Sequence, residues 1–361
     1  MASRHTLLAV FLLLSLCACQ HERIEPSTIE PIVVYKPWEK VDLYKYSSTN
    51  ILSSFATDSF LYSATPYTLS VWDKRAKTSI THYGLGWATY VYNPKPIFSE
   101  RIVATFTDSI VHFRPVLQPV SGSTFNLSVR SSEISPNYSF VAAHKRGAFS
   151  RQYADKVYFL TFMEHNQSKA LVLVFIELDY KENSNFQGIK RTKTNILTLN
   201  NLPNEMPNSI QFLSNRFYVT TTNNSYDVDA TGNLRRFTLD QPNSALSKFF
   251  EIGQDSIVGI SQLNELFLSI NGRTDWQRTA TITGTHFSTF KFYRFKNRQF
   301  LSTGLSLYEW NLDNNDLAFF NISGLPDNNL VEFHLIKDTL FVTTEGSGVY
   351  KKAFNDLQKQ K

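Results

Sequence analysis

From residue 41 onwards the apolar positions come in short runs rich in Val, Ile, Phe, Tyr and Thr, broken by Asn, Asp, Ser or Gly. Alternation at a period of two between turn-forming residues predicts β-strands joined by tight turns. Helical periodicity is hard to find there. Residues 171–176 (LVLVFI) form an unbroken apolar run, which predicts a strand buried on both faces. Residues 181–194 (KENSNFQGIKRTKT) are the most polar stretch and are expected to be an inserted loop.

Aligned with one another, the runs share a module: a strand, a turn holding Asp or Asn, an aromatic-aliphatic strand, then a third strand closing in Val, Trp or Tyr. Copies include LSSFATDSFLYSATPYTLSVWD at 52–73, IQFLSNRFYVTTTNNSYDVD at 210–229 and FHLIKDTLFVTTEGSGVYK at 333–351. The turn residues of all seven are Asp58, Asp108, Asp155, Asn215, Asn264, Asn297 and Asp338, at intervals of 33 to 60 residues. Repeats of about 40–50 residues are the signature of four-stranded propeller blades. One such blade cannot bury both faces, and radial stacking buries them while leaving short edges. The expected fold is therefore all-β: a β-propeller of seven four-stranded blades over 41–354. Six or eight blades, or two β-sandwich domains, are the alternatives.

The segments loosely resemble bacterial propeller repeats. Asp229-Ala230-Thr231-Gly232 resembles the turn of quinoprotein-like propellers, and 338–350 (DTLFVTTEGSGVY) resembles a blade of the regulator-associated kind.

The N-terminal apolar stretch, 7–18, follows Arg4 and His5. It is too short to span a bilayer, which takes about 20 residues, and suits a signal-peptide core. It ends in Leu16-Cys17-Ala18-Cys19, which resembles the lipobox of bacterial lipoproteins. That resemblance implies a signal peptide at 1–18 and a lipid anchor on Cys19. Both cysteines of the chain lie in this segment. Gln20, where an aspartate would imply inner-membrane retention, points to the outer membrane of a Gram-negative bacterium. Residues 19–40 hold Pro26, Pro31 and Pro37 and are expected to be an extended tether, with Ile32 to Tyr35 as a candidate strand. Residues 355–361 are expected to be a polar tail.

Charge changes the picture little. The formal net charge is +5, spread along the chain, which supports no nucleic-acid footprint. The basic-aromatic stretch at 290–298 (FKFYRFKNR) is expected to be a strand running into an Asn turn. No Gly-x-Ser-x-Gly elbow occurs, and the histidines are scattered singly, although a propeller axis could gather them. Asp227 and Asp229 begin a partial calcium-loop pattern, but Thr238 stands where the closing Glu belongs, so a hairpin is the better reading. No catalytic residue, metal ligand or cofactor is assigned.

The binding candidates are aromatic residues in glycine-bearing or polar segments: Tyr83 and Trp87 beside Gly84 and Gly86, and Trp276 within NGRTDWQR. Such rings suit sugars or the hot spots of a protein partner. The expected function is a lipid-anchored envelope module, monomeric on its own, that binds an envelope protein or polysaccharide through propeller loops without catalysis. That layout resembles the lipoprotein propeller of the outer-membrane barrel-assembly machinery. The alternative is a glycan-active propeller enzyme of the glycoside hydrolase or lyase type.

Overall fold

The structure, a computed structural model, describes residues 36–41, 51–65, 68–73, 75, 78–84, 96–107, 109–116, 127–141, 147–151, 155–183, 186–199, 205–237, 239, 245–253, 256–270, 276–281, 291–302, 306–311, 314, 316–325, 330–357 and 359–360. The signal segment, Cys19 and the Ile32–Tyr35 candidate strand lie outside them.

The described strands form seven antiparallel sheets, and all but the last pair their strands in chain order. Blades 1 to 6 occupy 53–84, 97–130, 138–198, 207–237, 246–281 and 291–320. Blade 3 divides its first position between Tyr138–Phe140 and Gly147–Phe149, both paired with Lys156–His165. Blade 7 comprises Leu330–Ile336, Thr339–Thr344 and Gly348–Ala353, and its outermost strand is Glu39–Val41, with Val41 opposite Val349. The start of the domain thus completes its last blade and closes the ring. The protein is a seven-bladed β-propeller.

Its buried apolar side chains fall into seven clusters, one at each blade–blade interface. This distribution explains the graded hydrophobicity of the blades. Second strands such as Ile102–Phe106 are buried at every residue because both faces meet a neighbouring blade. Outer strands such as Leu234–Phe237 are largely open to solvent, with Arg235 and Arg236 exposed. Residues 171–176 are all buried, as their unbroken apolar run predicted. First strands of successive blades touch around the axis, from blade 7 to 1 and on to blade 6. Between blades 6 and 7, Lys291 Nζ reaches the Val331 carbonyl and lies 2.6 Å from Glu332 Oε2.

Two expectations are corrected. Residues 181–194 are not a loop. Leu171–Asn183 and Phe186–Thr198 form a long hairpin that continues blade 3 outwards, with Asn183 opposite Phe186. Its polar outer part is held by backbone pairing between the two arms, and Leu178 beside it is buried. Tyr180 and Ile189 also reach into the core between blades 2 and 3. The repeat alignment also slipped by one hairpin in blade 5. Asp58, Asp155, Asn215, Asn297 and Asp338 lie between first and second strands, whereas Asn264 lies between the second and third, and Asp108 lies outside the described residues. Consecutive antiparallel hairpins share one grammar, so a sequence alone does not label which hairpin it shows.

Low glycine content has a local explanation at these turns. Ser214-Asn215 and Lys296-Asn297 carry positive φ at both positions (44° and 62°; 50° and 63°), as tight hairpins of this hand require, and asparagine tolerates that region. At the C-terminus, Leu357 is 7% exposed in the core between blades 6 and 7. Lys359–Gln360 pairs with Phe319 and Phe320 at the outer edge of blade 6, so the expected polar tail is in part structural.

Candidate functional site

Because the core is distributed among the blade interfaces, nothing requires the axis to be filled. On the face carrying the first-to-second-strand turns, a cavity of about 840 Å³ opens beside the axis. Blade 1 contributes Asp58, Phe60 and Tyr62, blade 2 Glu100 and Arg101, blade 6 Tyr293 and Arg294, and blade 7 Phe333 and His334. Tyr180 arrives from the long hairpin of blade 3, and the Arg101 guanidinium carbon lies 5.7 Å from the centre of its ring.

A second cavity shares Glu100 and Arg101 with this basin and also meets Ser99, Ser150 and Arg151. Phe55, Phe98, Phe149 and Phe212, one from each of blades 1 to 4, border this smaller cavity of about 210 Å³. Phe55 and Phe98 stack with centroids 6.4 Å apart. Phenylalanine rings thus dominate the smaller cavity, and the larger one carries most of the tyrosines and charged side chains.

Electrostatics separate wall from rim. Within the wall, Ser54 Oγ lies 2.8 Å from His334 Nε2 and 2.9 Å from Thr343 Oγ1. Burial pushes His334 from its ordinary value of 6.5 down to about 4, against an upward pull from Glu332 and with a further downward push from Lys291. At neutral pH it is an uncharged imidazole, able to accept the Ser54 hydroxyl. Burial also raises Tyr62 to about 12, with Thr57 lowering it and Glu100 raising it, and lifts Tyr293 well above its ordinary range. Both phenols stay protonated. The rim carries the ionised groups: Asp58, Glu100, Arg101 and Arg294, two of each sign. Among the described residues, no group of three His, Cys, Asp or Glu side chains is placed to hold a metal ion.

The binding candidates named from sequence are placed elsewhere or lie outside description. Trp276 is 9% exposed, stacks on Phe237 at 5.6 Å and meets Phe249 at 5.5 Å between blades 4 and 5. The ring serves the core, while Gln277 and Arg278, which follow it, are exposed. Tyr83 belongs to the outer strand Thr78–Gly84 of blade 1, paired opposite Leu69, and nothing of its side chain is described. Trp87 lies outside the described residues. Asp229 is committed to its hairpin, accepting from the N–H groups of Thr231 and Asn233, the Thr231 hydroxyl and the Asn233 amide. Asp227, 1% exposed, holds Arg216 and Arg235.

Sequence reasoning did not select the basin residues. Asp58 was visible only as a turn, Arg294 only as part of a basic-aromatic strand, and His334 as one of several isolated histidines. The available signal was the repeat itself, since equivalent turns of successive blades meet on one face.

No protein-family model matches this chain, and no curated protein matches it significantly. Solved structures do. A streptogramin B lyase shares 9% identity over 90% of this chain and 97% of its own, with a TM-score of 0.59. The extracellular domain of a one-component system from Bacteroides thetaiotaomicron shares 14% identity over 88% of this chain, TM-score 0.51. PorZ, a surface component of the type-IX secretion system of Porphyromonas gingivalis, shares 9% over 90%, TM-score 0.50. This chain spans 40% and 39% of the last two. At these identities the likeness is one of fold.

Proposed function

We propose that this chain is a cell-envelope binding module, tethered to the outer membrane by lipid on Cys19, that docks an envelope protein or polysaccharide as a monomer. The observation that carries this reading is the basin at the axis: ligand-sized, rimmed by aromatic rings and two arginines, and built on a rigid ring of blades. Its chemistry is that of recognition. Tyrosine rings and arginine forks offer flat contact area and directed donors at low entropic cost. The Cys-restricted lipobox supplies the tether. Two of the propellers it resembles in fold, an extracellular domain and a surface component, are in keeping with that location, and no helix among the described residues is long and apolar enough to cross a membrane.

The test is crosslinking in intact cells, pull-down from solubilised membranes and mass spectrometry, with Cys19→Ala as the untethered control and Arg101→Ala/Arg294→Ala as the basin control. One envelope component recovered with the intact protein and lost with both controls supports the reading. Equal recovery with the basin variant overturns the basin as the docking site.

A second reading, an enzyme, has one observation in its favour: the Ser54–His334 contact in the wall of a ligand-sized basin. Lyases share the fold, and a virginiamycin B lyase with one histidine replaced by alanine is catalytically inactive. Against it, a histidine held near 4 is a weak base at neutral pH, where a general base works best with a pKa near the operating pH. Turnover of glycans or of a streptogramin B by the intact protein, abolished in His334→Ala, would establish it.

A further inference from the structure

The long hairpin of blade 3 has an outer edge that the basin does not use. Its last strand, Phe186–Thr198, is 13 residues long, whereas the outermost strands of the other blades run from 3 to 7 among the described residues. No described strand pairs with its outer edge, while the corresponding edge of blade 6 is covered by Lys359–Gln360. An unpaired edge is a template for strand addition.

Three features say what it accepts. Lys190, Arg191 and Lys193 lie on the strand, which itself carries no acid, and both lysines are exposed. Asp179 and Glu177 face the lysines across the hairpin, and Glu133, 3.4 Å from Arg191, is the one acidic side chain bordering the groove beside the strand. That groove, about 850 Å³, runs along residues 191–197 beneath the short helix Ser131–Ile134. Ile196 stands 42% exposed in it. Finally, the register shifts beside Thr192, where Glu177 faces Lys193 and Leu178 faces Arg191. The bulge leaves 193–198 as the regular, open part of the edge.

A second copy of this chain fits poorly over the cationic part, 190–193. Antiparallel self-pairing about Thr192 sets Lys193 opposite Arg191, and like charges directly opposite are destabilising. Parallel in-register pairing stacks the same cations. The charge that blunts self-association favours an acidic strand.

We propose that the outer edge of Phe186–Thr198 is a docking strand for an acidic, extended segment of a partner protein, which adds to blade 3 through the backbone of 193–198 with acidic side chains towards Lys190 and Lys193. This rests on the binding-module reading and names the partner's chemistry at a second surface.

The probe is a short fluorescent peptide alternating glutamate and valine, titrated by anisotropy against the full chain. Its control has the same charge but alternate N-methylated residues. Edge pairing requires binding by the first, at least about tenfold weaker binding by the second, and a similar loss with Lys190→Glu/Lys193→Glu, tenfold being about 1.4 kcal/mol. Hydrogen exchange should slow at 193–198 and not around the basin. Equal binding of the N-methylated peptide, protection elsewhere, or no binding each overturns the proposal. The crosslinking pull-down repeated with Lys190→Glu/Lys193→Glu separates the two readings: a partner still recovered leaves the binding module standing and removes the edge from it.

Discussion

Ser54 Oγ and His334 Nε2 lie 2.8 Å apart although 280 residues separate them in sequence, and their contact ties the first blade to the last. Thr343 Oγ1 lies 2.9 Å from the same hydroxyl oxygen. The seam of the ring is pH-sensitive because burial disfavours the charged imidazole. His334 is depressed from 6.5 to about 4, so between those values the unfolded chain binds a proton that the native fold refuses. Stability is complete above about pH 6.5 and is lost as the pH falls towards 4, by roughly 2–3 kcal/mol. Thermal melting from pH 7 to 4 should show a steeper fall for the wild type than for His334→Gln. Parallel curves would show that another group is responsible. Ser54→Ala should cost about 1 kcal/mol at neutral pH.

Ring closure depends on the strand Glu39–Val41 and on Trp38 before it. Trp38 is 8% exposed, donates its indole N–H to the Ser323 carbonyl at 3.2 Å, and lies under Lys352 Nζ at 5.5 Å. Trp38→Ala should destabilise by about 3–5 kcal/mol, and amide exchange should rise first in Gly348–Ala353, the strand that Glu39–Val41 covers. Uniform acceleration across all seven blades would count against a local closure role.

Gly147 sits where a side chain does not fit. A Cβ there would meet the Phe159 ring at 2.8 Å, the Leu160 carbonyl at 3.0 Å and Ile97 at 3.1 Å. The carbonyl belongs to the paired strand and cannot yield, so Gly147→Ala should cost about 1–3 kcal/mol by overpacking. Gly188, with open space around its Cβ position, is the control and should tolerate alanine. Denaturant midpoints of the two variants decide the point, and equal midpoints would contradict it.

Asp229 caps the hairpin of blade 4. Partial burial would raise its carboxyl, but four donors from Thr231 and Asn233 bring it from 3.8 down to about 2. Its contribution is present above about pH 3.8 and is lost as the pH falls through 2. Asp229→Ala should cost about 1 kcal/mol at neutral pH, as loss of a comparable side-chain cap does, and calcium should not change the melting temperature of the wild type. A calcium-dependent rise removed by Asp229→Ala would restore the calcium-loop reading.

Trp276→Ala should cost about 3–5 kcal/mol, because the indole fills the interface of blades 4 and 5. Arg294→Ala, on the basin rim, should leave the melting temperature nearly unchanged while weakening recovery of a bound partner. The reverse pattern would return Trp276 to the binding surface.

Short-range information was legible in the chain. Period-two alternation, Asn and Asp turns and the approximate repeat determined the all-β class and pointed to a propeller, with seven blades expected ahead of six or eight, because strand pairing between neighbours depends on residues close in sequence. The continuous run at 171–176 even showed which strand is buried on both faces. Three things waited for the tertiary structure. Whether a polar stretch such as 181–194 pairs or loops depends on what its backbone meets, and here each arm meets the other. Whether an aromatic ring such as Trp276 faces solvent or the next blade depends on how two blades stack, which its polar sequence neighbours do not report. The site depends on distance around a closed ring: Asp58, Arg101, Arg294 and His334 share one basin because turns from blades 1, 2, 6 and 7 converge on one face of the axis. That closure is brought about by Glu39–Val41 lying beside Gly348–Ala353, a pairing between chain ends that no local pattern encodes.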